Sequence, residues 1–194
     1  MEDRCLNEID YYQKILEEIR KYREKMGSEV INPLDFAVIN NVEIMREDFS
    51  QYKSPTLLGY YAISRDNQKI IVYRDGLSVT GIRKVIAHEL SHVLIGEYPE
   101  KPFKPGNVID LLDTSIDQYS ENERIIESAC EKGAREILMP QGVLTQKYYQ
   151  EIETCKEPDY LIYALASDFK VFIEDMRKRL NEIGLINIDE RNIA

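Results

Sequence analysis

Histidine is scarce in this 194-residue chain: there are two, His88 and His92, and they fall four positions apart. Imidazole-dependent chemistry is therefore confined to the run His88-Glu89-Leu90-Ser91-His92. Cysteine is sparse as well. Cys5, Cys130 and Cys155 are odd in number and scattered, which gives no disulfide framework and fits a reducing, cytoplasmic setting. No run approaches the roughly 20 apolar residues of a membrane span. The opening Met1-Glu2-Asp3-Arg4 lacks the basic-then-apolar pattern of a secretory leader. The expectation is a soluble protein that stays where it is made. Positive charge is also in deficit, with 25 Lys and Arg against 35 Asp and Glu, a net charge of −10. That is a poor match for a protein that itself grips nucleic-acid phosphates. It suits solubility, or a partner that is basic.

The chain is 43% hydrophobic, enough for a core, and its length suits one large domain or a domain with a small appendage. Leu6, Ile9, Tyr12, Leu16, Ile19 and Tyr22 recur at three- and four-residue spacing and predict an amphipathic helix ended by Gly27-Ser28. Leu34 to Ile39, opened by Asn32-Pro33, suits a turn or two of helix. Val42 to Arg46, Leu57 to Ser64 and Lys69 to Arg74 read as strands, the last two joined by a turn at Asp66-Asn67. Helices are expected over Thr80 to Ile95, Glu121 to Leu138, Gly142 to Glu151 and Asp159 to Ile183. The last has a break near Ser167-Asp168. Tyr98 to Asn107, with Pro99, Pro102 and Pro105, reads as loop, and Ile186 to Ala194 as a tail. This divides the chain into an N-terminal helix (1–29), a core (30–155) and a C-terminal helical region (156–194). The fold class is α+β, mainly helical, with a small antiparallel sheet packed on the helix that carries the histidines.

On that helix, positions i and i+4 share a face, so His88 and His92 can address one metal ion. Glu89 lies about 100° round the helix and can reach a water on that ion as general base. A catalytic zinc site takes three protein ligands, and no histidine is left. The third ligand is then a carboxylate or thiolate, from Glu97, Glu100, Asp110, Asp113, Asp117, Glu121, Glu123, Glu127 or Glu131. Glu97 sits too near His92 on the same helix. Glu127 and Glu131 are better placed, one turn apart on a second helix, with Glu127 favoured as ligand and Glu131 able to support a histidine from behind. Cys130, three residues from Glu127, reads as a small buried hydrophobe rather than a redox-sensitive thiol. Imidazole and carboxylate donors suit Zn2+, while manganese, iron and cobalt occupy similar sites.

His88-Glu89-Leu90-Ser91-His92-Val93-Leu94, followed by Glu127-Ser128-Ala129-Cys130-Glu131 through Leu138-Met139-Pro140, resembles the ImmA/IrrE family of metallopeptidases. That family carries HELxH and then E-x-x-A-N/D-x-F-A-x-x-L-L-M-P. Aligned on Leu138-Met139-Pro140, its leading Glu falls on Glu127, its Ala on Cys130, its Asn or Asp on Glu131 and its Phe on Gly133. Leu165 to Phe169 and Arg179 to Leu185 resemble its C-terminal pattern, so the likeness runs over roughly residues 30 to 187. The departure at Gly133 is expected to loosen packing behind the site.

The resemblance implies a zincin-like, gluzincin-type fold with zinc on His88, His92 and Glu127. It also implies a site-specific endopeptidase whose substrate is a helix-turn-helix transcriptional repressor in a stress or mobile-element switch. Two other readings stand beside it: a non-proteolytic protein that binds the repressor and retains a metal site, and a peptidase of broad range. Tyr98 and Tyr119 are the tyrosines considered as donors to a developing oxyanion, and Pro99 to Pro105 as a border of the substrate groove.

Overall fold

The computed structural model describes residues 7–51, 57–64, 66–96, 120–155 and 157–187. Cys5, Leu6, the Pro99–Pro105 loop, Tyr98, Tyr119 and most of the expected tail lie outside them, as do Glu97, Glu100, Asp110, Asp113 and Asp117. The described residues form seven α-helices and a three-stranded sheet. No helix among them is long and apolar enough to cross a membrane.

Helix α1 (Glu8–Met26) begins at a capping box. The Asn7 side chain accepts from the Asp10 amide at 3.0 Å, and Asp10 accepts from the Asn7 amide at 3.1 Å. These bonds satisfy amides that the first turn leaves unpaired. Gly27, at φ +62°, ends the helix in the left-handed conformation. The buried stripe is Tyr11, Ile15, Ile19 and Tyr22, while Ile9 is 68% exposed. The stripe expected through Ile9, Tyr12 and Leu16 is thus rotated by one residue at its N-terminal end. Both stripes have helical spacing, and the shape of the neighbouring helix selects between them.

Helix α2 (Pro33–Ile39) starts at Asn32, with Pro33 where a missing N–H costs nothing. Its Phe36 ring packs 4.4 Å from that of Tyr22. Strand β1 (Val42–Glu47), β2 (Gly59–Ile63) and β3 (Lys69–Arg74) form one sheet in the order β1-β3-β2. β2 and β3 pair antiparallel, with Tyr61 opposite Ile71. β1 pairs parallel to β3, with Ile44 opposite Ile71. The sheet is therefore mixed where an antiparallel one was expected. The strand next in sequence to β1 is not its neighbour in space, and alternation of side chains along a strand carries no sign of direction.

Helix α3 (Val79–Ile95) is capped by the Ser78 hydroxyl, which accepts from the Gly81 amide at 3.1 Å, and is ended by Gly96 at φ +72°. It buries Val85, Ile86, Ala87, Leu90, Ser91 and Val93. Helix α4 (Glu121–Leu138) opens with a second capping box, Ser120 with Glu123. Helices α5 (Gln141–Ile152), α6 (Pro158–Phe169) and α7 (Ile173–Glu182) follow. The break expected near Ser167-Asp168 falls at Lys170, φ +54°, where α6 stops. Residues from all seven helices and from β1 and β3 join one hydrophobic cluster.

Helices α1, α3 and α4 meet at Gly133. A Cβ there would lie 2.7 Å from Ser91 Oγ and 2.8 and 2.9 Å from Ile15 Cγ2 and Cδ1. Packing behind the site is tight, contrary to the loosening expected of this glycine, because Ile15 of α1 occupies the space a larger residue would take. Overpacking such a contact costs about 1–3 kcal/mol. Gly133→Leu is expected to destabilise the fold by about 2 kcal/mol or more, read as a lowered urea midpoint. An unchanged midpoint would mean that the three helices can part cheaply.

Candidate metal centre

α3 projects His88 and His92 from one face, and α4 brings Glu127 across to meet them. Glu127 Oε2 is 3.1 Å from His88 Nε2, and Oε1 is 3.3 Å from His92 Nε2. The two Nε2 atoms are 3.3 Å apart. The Glu127 carboxylate thus straddles the histidine pair, one oxygen facing each ring, and one ligand atom from each of the three residues lies within 4.8 Å of the others. The Nε2–Nε2 separation and each contact with Glu127 are close to the roughly 3.3 Å between ligand atoms held about 2.0–2.1 Å from a tetrahedral zinc. Among the described residues this is the one group of three or more His, Cys, Asp and Glu side chains able to hold a metal ion. Two imidazoles and one carboxylate are a borderline donor set with one negative charge, which suits a divalent cation that keeps a fourth position. The residues fit the ion.

The electrostatics favour positive charge at the same point. Burial disfavours a charged His88 ring, but the Glu127 hydrogen bond and the charges of Glu89, Glu127 and Glu131 outweigh it and raise the pKa to about 9. Burial would raise the Glu127 carboxyl, yet hydrogen bonds and charge from both histidines hold it well below the usual carboxylate range. A proton thus competes for the place a cation would take.

Glu89 is half-buried beside β2. Burial pushes its carboxyl above the usual range, against the charges of His88 and His92 and a hydrogen bond from the Tyr61 backbone amide. Glu131 lies behind His88, its Oε1 3.5 Å from Nδ1. Cys130 is fully buried and is not among the residues of the cluster. Of the other acids considered within the described residues, Glu123 is engaged in the α4 capping box.

Residues 39–181 match the family model described as IrrE N-terminal-like domain, Peptidase_M78. The chain belongs to this metallopeptidase family. Within the IrrE-like segment lie both histidines, Glu89 and Glu127, whereas α1 precedes it. No curated protein matches. Among solved structures, a Mycobacterium tuberculosis transcriptional regulator is similar, with a TM-score of 0.53 and 16% identity. The match covers 87% of this chain and 46% of that one. At this identity the likeness speaks for the fold, and this IrrE-like chain spans less than half of that protein.

Reading the sequence missed two features of the site: the Tyr61 amide at Glu89, and an ionic network centred on Glu136 behind α4. Arg179, 2% exposed, bonds to Glu136 Oε2, and Arg23 Nη2 reaches Glu136 Oε1 at 3.0 Å. A signal for Glu136 existed, since it falls three residues after Gly133 on the buried stripe of α4. Nothing in the local sequence announces the Tyr61 contact, which depends on how the sheet meets α3.

Because metal must displace a proton from the cluster, apparent affinity should rise with pH. Below the His88 pKa of about 9, one displaced proton makes affinity rise about tenfold per pH unit. Zinc titrations from pH 6 to 8 are expected to show about a hundredfold gain. A flat profile would show that no such proton is displaced.

Proposed function

We propose that this protein is a zinc-dependent endopeptidase that cuts a helix-turn-helix transcriptional repressor at a specific site. The observation that carries the hydrolytic part is the convergence of His88 Nε2 and His92 Nε2, 3.3 Å apart, on the Glu127 carboxylate, whose two oxygens lie 3.1 and 3.3 Å from them, with Glu89 following His88 on the same helix. A structural zinc site has no use for a base in that place. Membership of the IrrE-like peptidase family supports the same chemistry. The repressor substrate is supported by the resemblance to ImmA/IrrE proteins, by the shared fold with a mycobacterial transcriptional regulator, and by a net charge of −10 that suits a basic DNA-binding partner.

Zinc, when bound, lowers the pKa of a water toward about 7 and polarises the peptide carbonyl. The chain's own residues do the rest. His88, His92 and Glu127 converge from two helices, leaving a fourth direction for substrate and water. Glu89 takes the proton of the attacking water and returns it to the departing amine nitrogen. Its raised affinity for protons, caused by burial, suits both halves of that transfer near neutral pH. The Tyr61 amide donates to the Glu89 carboxylate and so restrains its orientation.

The test is to incubate the purified protein and zinc with the repressor encoded beside its gene, and to follow cleavage by gel and mass spectrometry. A single cut is expected with the wild type. Glu89→Gln should lose at least a hundredfold in rate, the scale of a general base, with zinc content unchanged. Glu127→Ala should instead lower the zinc recovered per chain. An intact repressor with zinc-loaded wild type would remove the substrate assignment. Casein digestion at a similar rate would favour a broad peptidase. Derepression that persists with Glu89→Gln, the repressor uncut, would favour binding without proteolysis.

A further inference from the structure

His88 turns Nε2 to Glu127 and His92, while its Nδ1 is buried without a hydrogen-bond partner. Histidines in metal sites almost always donate this N–H to a carboxylate, carbonyl or water, which fixes the ring and raises its basicity as a ligand. Glu131 Oε1 is the acceptor at hand, but 3.5 Å is beyond good hydrogen-bonding range. The Glu131 side chain is 46% exposed, so water competes for it.

What restrains Glu131 is Arg135, one turn further along α4, whose Nη1 lies 3.3 Å from Glu131 Oε2. Arg135 is only 18% exposed, and its Nε is 3.0 Å from Glu182 Oε2 at the end of α7. The same Glu182 oxygen is 3.2 Å from Nη1 of Arg179. Arg179 in turn donates to the Met139 carbonyl at 3.2 Å and bonds to Glu136. A line of alternating charge therefore runs from the buried Arg179 through Glu182, Arg135 and Glu131 to the back of His88. An exposed ion pair alone contributes about 0–1 kcal/mol. A guanidinium already fixed at one side loses less freedom when it holds a second carboxylate.

We propose that Arg135 is a positioning residue for the metal centre: anchored to Glu182 of α7, it keeps Glu131 facing His88 Nδ1 and so tightens the grip of the ligands on their cation. The inference rests on the reading of His88, His92 and Glu127 as a metal site.

The test measures zinc affinity of the full chain by competition with a chromophoric chelator. It compares wild type, Glu131→Ala, Arg135→Gln and the double variant. Residues supporting a ligand in this way typically contribute 10–100-fold in affinity, so each single variant is expected to weaken binding about tenfold. The double variant should lose no more than the weaker-binding single, because both substitutions remove one constraint. Arg135→Lys, which keeps the charge, should recover part of the loss. Arg135→Gln binding within twofold of wild type overturns the proposal. So does a double variant in which the two losses multiply, the result expected if Arg135 only props up the helix. If Arg135→Gln does not fold, Glu182→Gln, which frees the guanidinium from α7, replaces it in the cycle with Glu131→Ala, and additivity there overturns it equally. A wild-type chain that binds no zinc sinks the metal reading itself. One that binds zinc and ignores Arg135→Gln sinks only the relay.

Discussion

Helices α3 and α4 lie so close at Gly133 that a side chain there would collide with Ser91 and Ile15, and this approach sets Glu127 opposite the two imidazoles. The imidazole nitrogens stand 3.3 Å apart, and each is 3.1–3.3 Å from one oxygen of Glu127, an arrangement that shifts of a few ångströms would undo. Loops rarely hold such an arrangement, whereas two helices packed without voids do. Ser91 lies one residue from His92, so this close contact between the helices sits beside one of the histidines. Glu127 is under two turns from Gly133 along α4. Small errors in the angle between the helices are therefore kept small at the site.

The second constraint is electrostatic. Bringing Glu89, Glu127 and Glu131 near one another creates a negative field, and the positive charge that answers it must be supplied on the other side of α4 as well. Arg179, Arg23 and Arg135 supply it around Glu136, Glu131 and Glu182. Burying Arg179 and Glu136 is costly unless every polar atom finds a partner. Here the Met139 carbonyl and the Gln141 amide complete the set. The sharp turn from α4 into α5 at Met139-Pro140 is what exposes those two backbone groups to the ion pair. The turn and the ion pair thus support each other.

Much of this was legible because it is local. A glutamate directly after one of two histidines four apart is a pattern that a helix alone converts into chemistry. Gly27 after Met26 marks the end of α1 because a glycine takes the left-handed conformation there without strain. The boundaries of α3 and α4 agree with the sequence to within a residue. What was not legible depends on partners far along the chain. The rotated stripe of α1 is chosen by Gly133, more than a hundred residues away. The parallel pairing of β1 with β3 joins strands 27 residues apart, Val42 opposite Lys69. Of the acids weighed as third ligand, Glu127 could be favoured from helical spacing, but only the crossing of α3 and α4 brings its oxygens within 3.3 Å of both rings.

Ile15 enters the space above Gly133 from a helix that lies wholly upstream of residue 39, where the match to the IrrE-like family begins. A fragment trimmed to that match would lose Tyr11, Ile15, Ile19 and Tyr22 together and leave a trench along the back of α4. The recognisable unit and the self-sufficient unit therefore differ in this protein. The first can be delimited by its motifs, whereas the second must include the strap that closes its far side.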